Sequence, residues 1–299
     1  MAELAAYRET PVVFACEGEQ LVGIVTLPAQ PSRRCGVLIL VGGPQYRVGA
    51  HRQFVHLARH LAAQGIPAMR FDFRGMGDGS GSERTFRYVE ADIAAAISAF
   101  QDAAGGLEDG VVLWGLCGGS SAACLYPQDD PRVSGLILVN PWLTAKASQA
   151  RVRLKHYYAR RLLDLGFWRK LLGGRLRLRQ SLSDVVSTAR AAGGGTDKAA
   201  TAPGVGAQGA DPLPGRMLAA ISTFAGRAAI FLSGRDYVAK TFEDCLMGDA
   251  RFQALQAQGA VAVQRFTDDD HTFSSPEARA RIEQATSNWV LQLPPRTPR

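Results

Sequence analysis

Cys117 stands in the run Gly115-Leu-Cys-Gly-Gly119, directly after the apolar segment Val111–Trp114 and directly before a string of small residues. Glycines two positions to either side of a reactive side chain suit a sharp strand-to-helix turn, whose strained backbone leaves no room for larger neighbours. A helix opening at Gly118 would aim its first amides at the thiol and favour negative charge there. The plainer alternative is an inert buried cysteine beside a packing turn. If Cys117 is a nucleophile, an acid and then a histidine should follow in that order. Asp236 follows the apolar strand Ala228–Leu232 in Ser233-Gly-Arg-Asp236, and His271 follows the strand Val261–Phe266 in the loop Thr267-Asp-Asp-Asp-His-Thr-Phe. A histidine titrates near neutrality, and a carboxylate behind it fixes its tautomer. Each of the two could be an ordinary loop residue, but their order and their places at strand ends coincide. Ser120 mimics a serine elbow in Gly118-Gly-Ser-Ser-Ala122. It lies too far past the strand and falls inside the helix. Asp268, Asp269 and Asp270 sit too close in sequence to His271 to reach its Nδ1, which leaves Asp236 as the orienting acid.

The elements that position these residues follow from periodicity. Val12–Cys16 and Leu21–Leu27 read as a hairpin, and Val37–Val41 as a strand buried on both faces. A βαβ alternation then runs through helix Gln53–Gln64, strand Pro67–Phe73, helix Tyr88–Ala103, strand Val111–Gly115, helix Gly119–Tyr126 and strand Gly135–Asn140. It resumes at strand Arg227–Ser233, helix Thr241–Ala257, strand Ala260–Phe266 and helix Pro276–Leu291. The reading is a mostly parallel, doubly wound sheet whose three chemical residues share its C-terminal edge. Residues 1–141 and 222–299 form the core. Residues 142–221 are expected to be a helical cap inserted late in the sheet, with a basic, aromatic helical stretch at Ala147–Leu172 and a flexible Gly/Ala-rich loop at about 189–214.

The 299 residues carry a net charge of +7, and eleven Lys or Arg against the single acid Asp164 lie between Lys146 and Arg179. That segment alone is +10 and the remainder −3, so the basicity belongs to one stretch. It suits an anionic membrane surface or glycolipid, or else it is only a solvated face; nucleic acid is not expected as a partner. Five cysteines, an odd and sparse count, argue against a disulfide scaffold and for a reducing compartment. Cys16, Cys35 and Cys245 lack metal-ligand spacing, and no metal or other cofactor is expected. The N-terminus has no signal-peptide pattern, and the uncharged stretch Gly110–Gln128 is broken by glycines and a proline.

Several stretches carry a resemblance that covers nearly the whole chain: Gly42-Gly-Pro-Gln-Tyr-Arg-Val-Gly49 with His51-Arg-Gln-Phe54, Arg70-Phe-Asp-Phe-Arg-Gly-Met-Gly-Asp78, Trp114-Gly-Leu-Cys-Gly-Gly119, Asn140-Pro-Trp142 and Ser233-Gly-Arg-Asp236. The sequence resembles the α/β-hydrolases, and among them the type 1 group of exosortase A system-associated hydrolases of exopolysaccharide loci. The resemblance implies an α/β-hydrolase fold, a catalytic site at Cys117, Asp236 and His271, and a cytoplasmic place, extended by the basic segment to the inner membrane face. Most relatives carry serine at the elbow, so Cys117 shifts the expectation toward thioesters, activated esters or acyl transfer. The oxyanion loop reads Gly42-Gly43-Pro44, and Pro44 has no N–H. The oxyanion donors would then be Gly118 and either Gly43 or Gln45. Tyr46, Arg47, His51 and Trp142 are candidate substrate-binding residues, with helix capping or surface exposure the alternative for His51. Asp72 and Arg74 are expected to tie down a turn. The resulting expectation is an acyl hydrolase, of esterase or thioesterase type, acting on a small acylated substrate. The alternatives are an acyltransferase or a surface-binding module on a hydrolase fold.

Overall fold

The computed structural model describes residues 7–32, 35–43, 45–126, 129–143 and 213–295. The basic segment Lys146–Arg179, the expected helices within it and the Gly/Ala-rich stretch up to residue 212 lie outside those residues, as does Pro44. Two compact units divide the chain, Met1–Leu143 with Leu213–Arg299 and, separately, Thr144–Pro212. The first is the one described.

Its strands are β1 (Tyr7–Cys16), β2 (Glu19–Pro28), β3 (Cys35–Leu40), β4 (Ala68–Phe71), β5 (Gly110–Leu116), β6 (Val133–Val139), β7 (Arg227–Ser233) and β8 (Val261–Phe266). The helices are α1 (Gln53–Ala63), α2 (Glu90–Ala104), α3 (Gly118–Leu125), α4 (Leu213–Thr223), α5 (Tyr237–Phe242), α6 (Ala250–Ala257) and α7 (Pro276–Leu291). All strands join one sheet in the order β1-β2-β4-β3-β5-β6-β7-β8. β2 runs antiparallel to both of its neighbours, and from β4 to β8 every pairing is parallel. The order reverses at β3: the chain steps outward to β4, then returns to β5 on the other side. A sheet of this kind opens a crevice beyond its carboxyl ends at the reversal point, and that is where β3 and β5 end.

Register decides which helix meets which face. Trp114 and Gly115 are successive on β5 and so face opposite sides. Trp114 meets α1 and α7: its ring is edge-on to Phe54 at 5.9 Å, and its indole N–H donates to Thr286 Oγ1 at 3.2 Å. Gly115 faces α3, where an added Cβ would strike the Gly119 carbonyl. Gly36 shares that face by register, and its open side is filled by the Phe100 ring of α2. α4 packs on α3 and α6, burying Met217, Leu218 and Ile221. The central strands β3, β4 and β5 are buried at every position, as continuous apolar runs between two helix layers require.

Two elements differ from the sequence expectation. The helix expected over Thr241–Ala257 begins earlier, at Tyr237, and is broken by a wide turn at Glu243–Met247 before α6. Asp249 recaps the chain there by accepting from the Arg251 amide at 2.9 Å. The helix Leu213–Thr223 had no signal of its own, because it begins within a Gly/Ala-rich stretch whose composition hides the apolar stripe of Leu213, Met217, Leu218 and Ile221.

Candidate active site

Cys117 is the residue between β5 and α3, and its backbone sits at φ 57° and ψ −119°. Side chains rarely adopt that conformation, and it survives only where the surroundings over-determine it. Here they do. The Cys117 amide donates to Val139 O at 2.9 Å, and its carbonyl accepts from Ser121 N at 3.2 Å and Trp142 N at 3.4 Å. Gly115 and Gly119 let the turn close, since a Cβ on Gly119 would strike the Leu40 carbonyl. The thiol-bearing residue is half-buried, whereas Ser120 is wholly enclosed within α3, where its hydroxyl finds no partner among the described residues.

Asp236 is buried at the N-terminus of α5, where its carboxylate accepts from the Val238 and Ala239 amides at 3.0 and 3.2 Å. These bonds fix the carboxylate, and its Oδ2 meets His271 Nδ1 at 2.7 Å. Cys117 lies near enough to the His271 ring to act on its charge. Burial works to lower the pKa of His271, but the hydrogen bonds and charges of Asp236 and Cys117 outweigh it and push it up to about 10. The neighbouring aspartates are engaged elsewhere. Asp269 is buried and pairs with Arg281, and Asp270 accepts from Ser274 N at 2.8 Å. Asp268 is exposed. The structure therefore pairs His271 with Asp236 and sets Cys117 close enough to the same ring to influence it.

The loop after β3 runs beside the elbow. A Cβ built on Gly118 would lie 3.4 Å from the Gly43 amide nitrogen, so the backbone of Gly43 passes directly beside the elbow. The Gln45 amide instead donates to Gly43 O at 2.8 Å and is consumed within the loop. That leaves Gly43 as the second candidate donor. Phe86 was not expected here: its Cδ1 would lie 3.8 Å from the same built Cβ, and Arg87 stacks over its ring at 5.8 Å. A half-buried aromatic in a polar loop was the available signal.

The candidate substrate-binding residues divide. Arg47 is buried and spent on Asp72 and, at 2.8 Å, on Asp78, while its backbone amide donates to Asp72 Oδ1 at 2.6 Å. Asp72 also accepts from the Asp78 amide at 3.0 Å. Arg47 thus clamps two loops together through its Nη1. Tyr46 is exposed, stacked under Arg47 at 4.3 Å, with its hydroxyl on Asp78 at 2.9 Å. His51 is exposed and, like Arg52, sits at positive φ where the chain turns into α1. Trp142 lies against the elbow: besides its amide bond to Cys117, its carbonyl accepts from Ser121 Oγ at 2.6 Å. Arg74 is buried against Asp92 in a two-pronged pair and also reaches Glu17, so Asp72 and Arg74 both tie down turns. Asn140 was quoted only within a motif. Its side chain proves to bridge the ends of β6 and β7 to the His271 backbone.

Residues 35–192, more than half of the chain, match the family model described as serine aminopeptidase, S33. The chain belongs to the S33 hydrolase family. Among solved structures it is similar to an esterase of Pyrococcus furiosus, at TM-score 0.62 and 12% identity over 97% of this chain and 92% of that one. It is also similar to a dienelactone hydrolase from Anabaena variabilis, at TM-score 0.59 and 13% identity over 96% and 99%. A Butyrivibrio proteoclasticus protein, Est1E, with ferulic acid bound, gives TM-score 0.58 and 15% identity over 94% and 98%. These likenesses establish the α/β-hydrolase fold. No curated protein matches the sequence. Among the described residues no group of three or more His, Cys, Asp or Glu could hold a metal, and no helix is long and apolar enough to cross a membrane. The expected contact with an anionic membrane or glycolipid rests on Lys146–Arg179, and nothing among the described residues supports it.

Proposed function

We propose that this S33 hydrolase cleaves small esters or thioesters through an acyl-Cys117 intermediate, with His271 as proton carrier and Asp236 as its orienting acid. The observation that carries the reading is the bond from Asp236 Oδ2 to His271 Nδ1, 2.7 Å long, on a ring whose charge is also raised by the strained Cys117 beside it. His271, whose raised pKa keeps its ring protonated near neutral pH, already holds the proton given up by the Cys117 thiol; Sγ then forms a bond to the acyl carbon and the carbonyl electron pair moves to oxygen. The amides of Gly118 and Gly43 face that oxyanion. The intermediate collapses, the bond to the leaving oxygen or sulfur breaks, and His271 returns the proton to the leaving group. Water then attacks the thioester, giving its proton to His271, and the acid departs as Sγ is restored. Asp236 holds the imidazole tautomer and supports the imidazolium throughout. The stretches that resemble the exosortase A system-associated hydrolases extend this reading to an acylated substrate of exopolysaccharide systems.

The test is a comparison of Cys117→Ala with Ser120→Ala on a p-nitrophenyl ester and a matched thioester. The expected result is loss of turnover in the first and retention within a few fold in the second. Turnover that survives Cys117→Ala and vanishes in Ser120→Ala overturns the assignment.

A further inference from the structure

Asn140 is the first residue beyond β6, at φ 44°, a left-handed backbone that asparagine tolerates better than most side chains do. It is completely buried. Its amide N–H donates to Phe231 O at 2.9 Å, joining it to β7. Its side chain then makes three further bonds. Oδ1 accepts from Ser233 N at 2.8 Å, and Nδ2 donates to Ser233 Oγ at 2.9 Å and to His271 O at 3.0 Å. Ser233 ends β7 and lies three residues before Asp236, while His271 comes from the loop after β8. A single amide thus ties the segment bearing the acid to the backbone of the histidine itself.

From this geometry we infer that Asn140 is a positioning residue that sets where the His271 ring stands between Asp236 and Cys117. The inference rests on the proposed role of Cys117 and His271. Asparagine is the side chain the position calls for. It needs an acceptor for the Ser233 amide and donors for a hydroxyl and a carbonyl within one short planar group. An aspartate would keep the acceptor but turn a carboxylate toward the His271 carbonyl. A leucine would leave three buried polar groups unpaired. Elsewhere the His271 loop is held from outside, by Asp269 with Arg281 and by Arg235 N donating to Asp269 O at 3.0 Å. Those ties secure its flank, whereas Asn140 holds the histidine residue itself.

The experiment uses Asn140→Gly, which keeps the positive φ without strain and removes only the side chain, and Asn140→Asp as a second variant. Three quantities are read on the full chain: thermal midpoint, kcat and KM for an activated ester, and the pH profile of Cys117 alkylation by iodoacetamide. The expected result is a folded protein whose kcat falls roughly 10- to 100-fold, as a displacement of about 1 Å of a catalytic group can cause. KM should change little, and the alkylation profile should move toward that of His271→Ala in both variants. A variant that melts lower but keeps the parental kcat and alkylation profile overturns the inference, because Asn140 then only stabilises the fold. Failure of the underlying reading looks different: the parent and His271→Ala would then alkylate with the same pH profile, whatever the Asn140 variants do.

Discussion

At the scale of residues, three side chains from three loops acquire a common geometry because each is fixed by backbone bonds as well as by its partners. Asp236 accepts two helix amides, Cys117 is gripped at both its amide and its carbonyl, and His271 is held through its own carbonyl. Asp236→Asn should therefore lower kcat by roughly 10³- to 10⁴-fold while leaving the fold intact, since it removes the charge and reverses the tautomer preference. Steady-state kinetics beside a circular-dichroism spectrum checks this. Asp270→Asn, whose carboxylate serves Ser274, should leave kcat within a few fold. The raised pKa of His271 also makes a stability statement. Its folded value, about 10, lies above its ordinary value, so protonation is favoured in the folded state. The resulting stabilisation is fully present below about pH 6.5, where the unfolded chain is protonated as well, and is lost as pH rises through about 10. Thermal midpoints of parent and His271→Ala should accordingly differ most near pH 6 and converge toward pH 10. A gap that widens with rising pH would contradict the pairing.

At the scale of elements, the elbow and the turns around it divide the work between close approach and buried charge. Gly119 has no space for a side chain, because Leu40 O of β3 lies against it. Arg74, buried against Asp92 of α2, anchors the turn after β4 with bonds of 2.6 to 3.1 Å. Removing Asp92 leaves the buried Arg74 with only the exposed carboxylate of Glu17, so Asp92→Ala should destabilise the protein by about 3 kcal/mol. Its effect on kcat in the folded fraction should be small, since the pair does not touch the elbow; chemical denaturation and an activity assay separate the two. The elbow glycines, the order of acid and histidine, and the structural duty of Asp72 and Arg74 were all legible in the sequence. They follow from local rules: small residues at a strained turn, loops at strand ends, paired charges in a Gly-rich turn. The commitment of Arg47 to Asp72 and Asp78 was not, since it joins segments about twenty-five residues apart. Long-range pairing has no signature in local composition.

At the scale of the molecule, the reversal of strand order at β3 opens the crevice, and every element of the proposed site borders it. The alternating pattern of strands and helices made this architecture readable from the sequence almost throughout. Helix α4 escaped it, although it packs on α3 and α6 and closes the core. This assigns Leu213–Thr223 to the hydrolase unit, and the boundary between the units falls before it. Replacing residues 144–212 with a short Gly/Ser linker should therefore leave a cooperatively melting protein. Extending the excision through Thr223 exposes the surfaces that Met217, Leu218 and Ile221 cover and should abolish cooperative melting. Equal melting curves for the two deletions would place α4 outside the core.

The central claim is that catalysis passes through an acyl group on Cys117, and intact-protein mass spectrometry tests it most directly. The parent protein and Cys117→Ala would be incubated with a panel of acyl thioesters and activated esters, quenched in acid and weighed. The account predicts a mass increase equal to one acyl group in the parent, mapping to the peptide that contains Cys117, and no increase in Cys117→Ala. An adduct of the same mass on Cys117→Ala, or turnover by the parent with the acyl group found on Ser120, would contradict it.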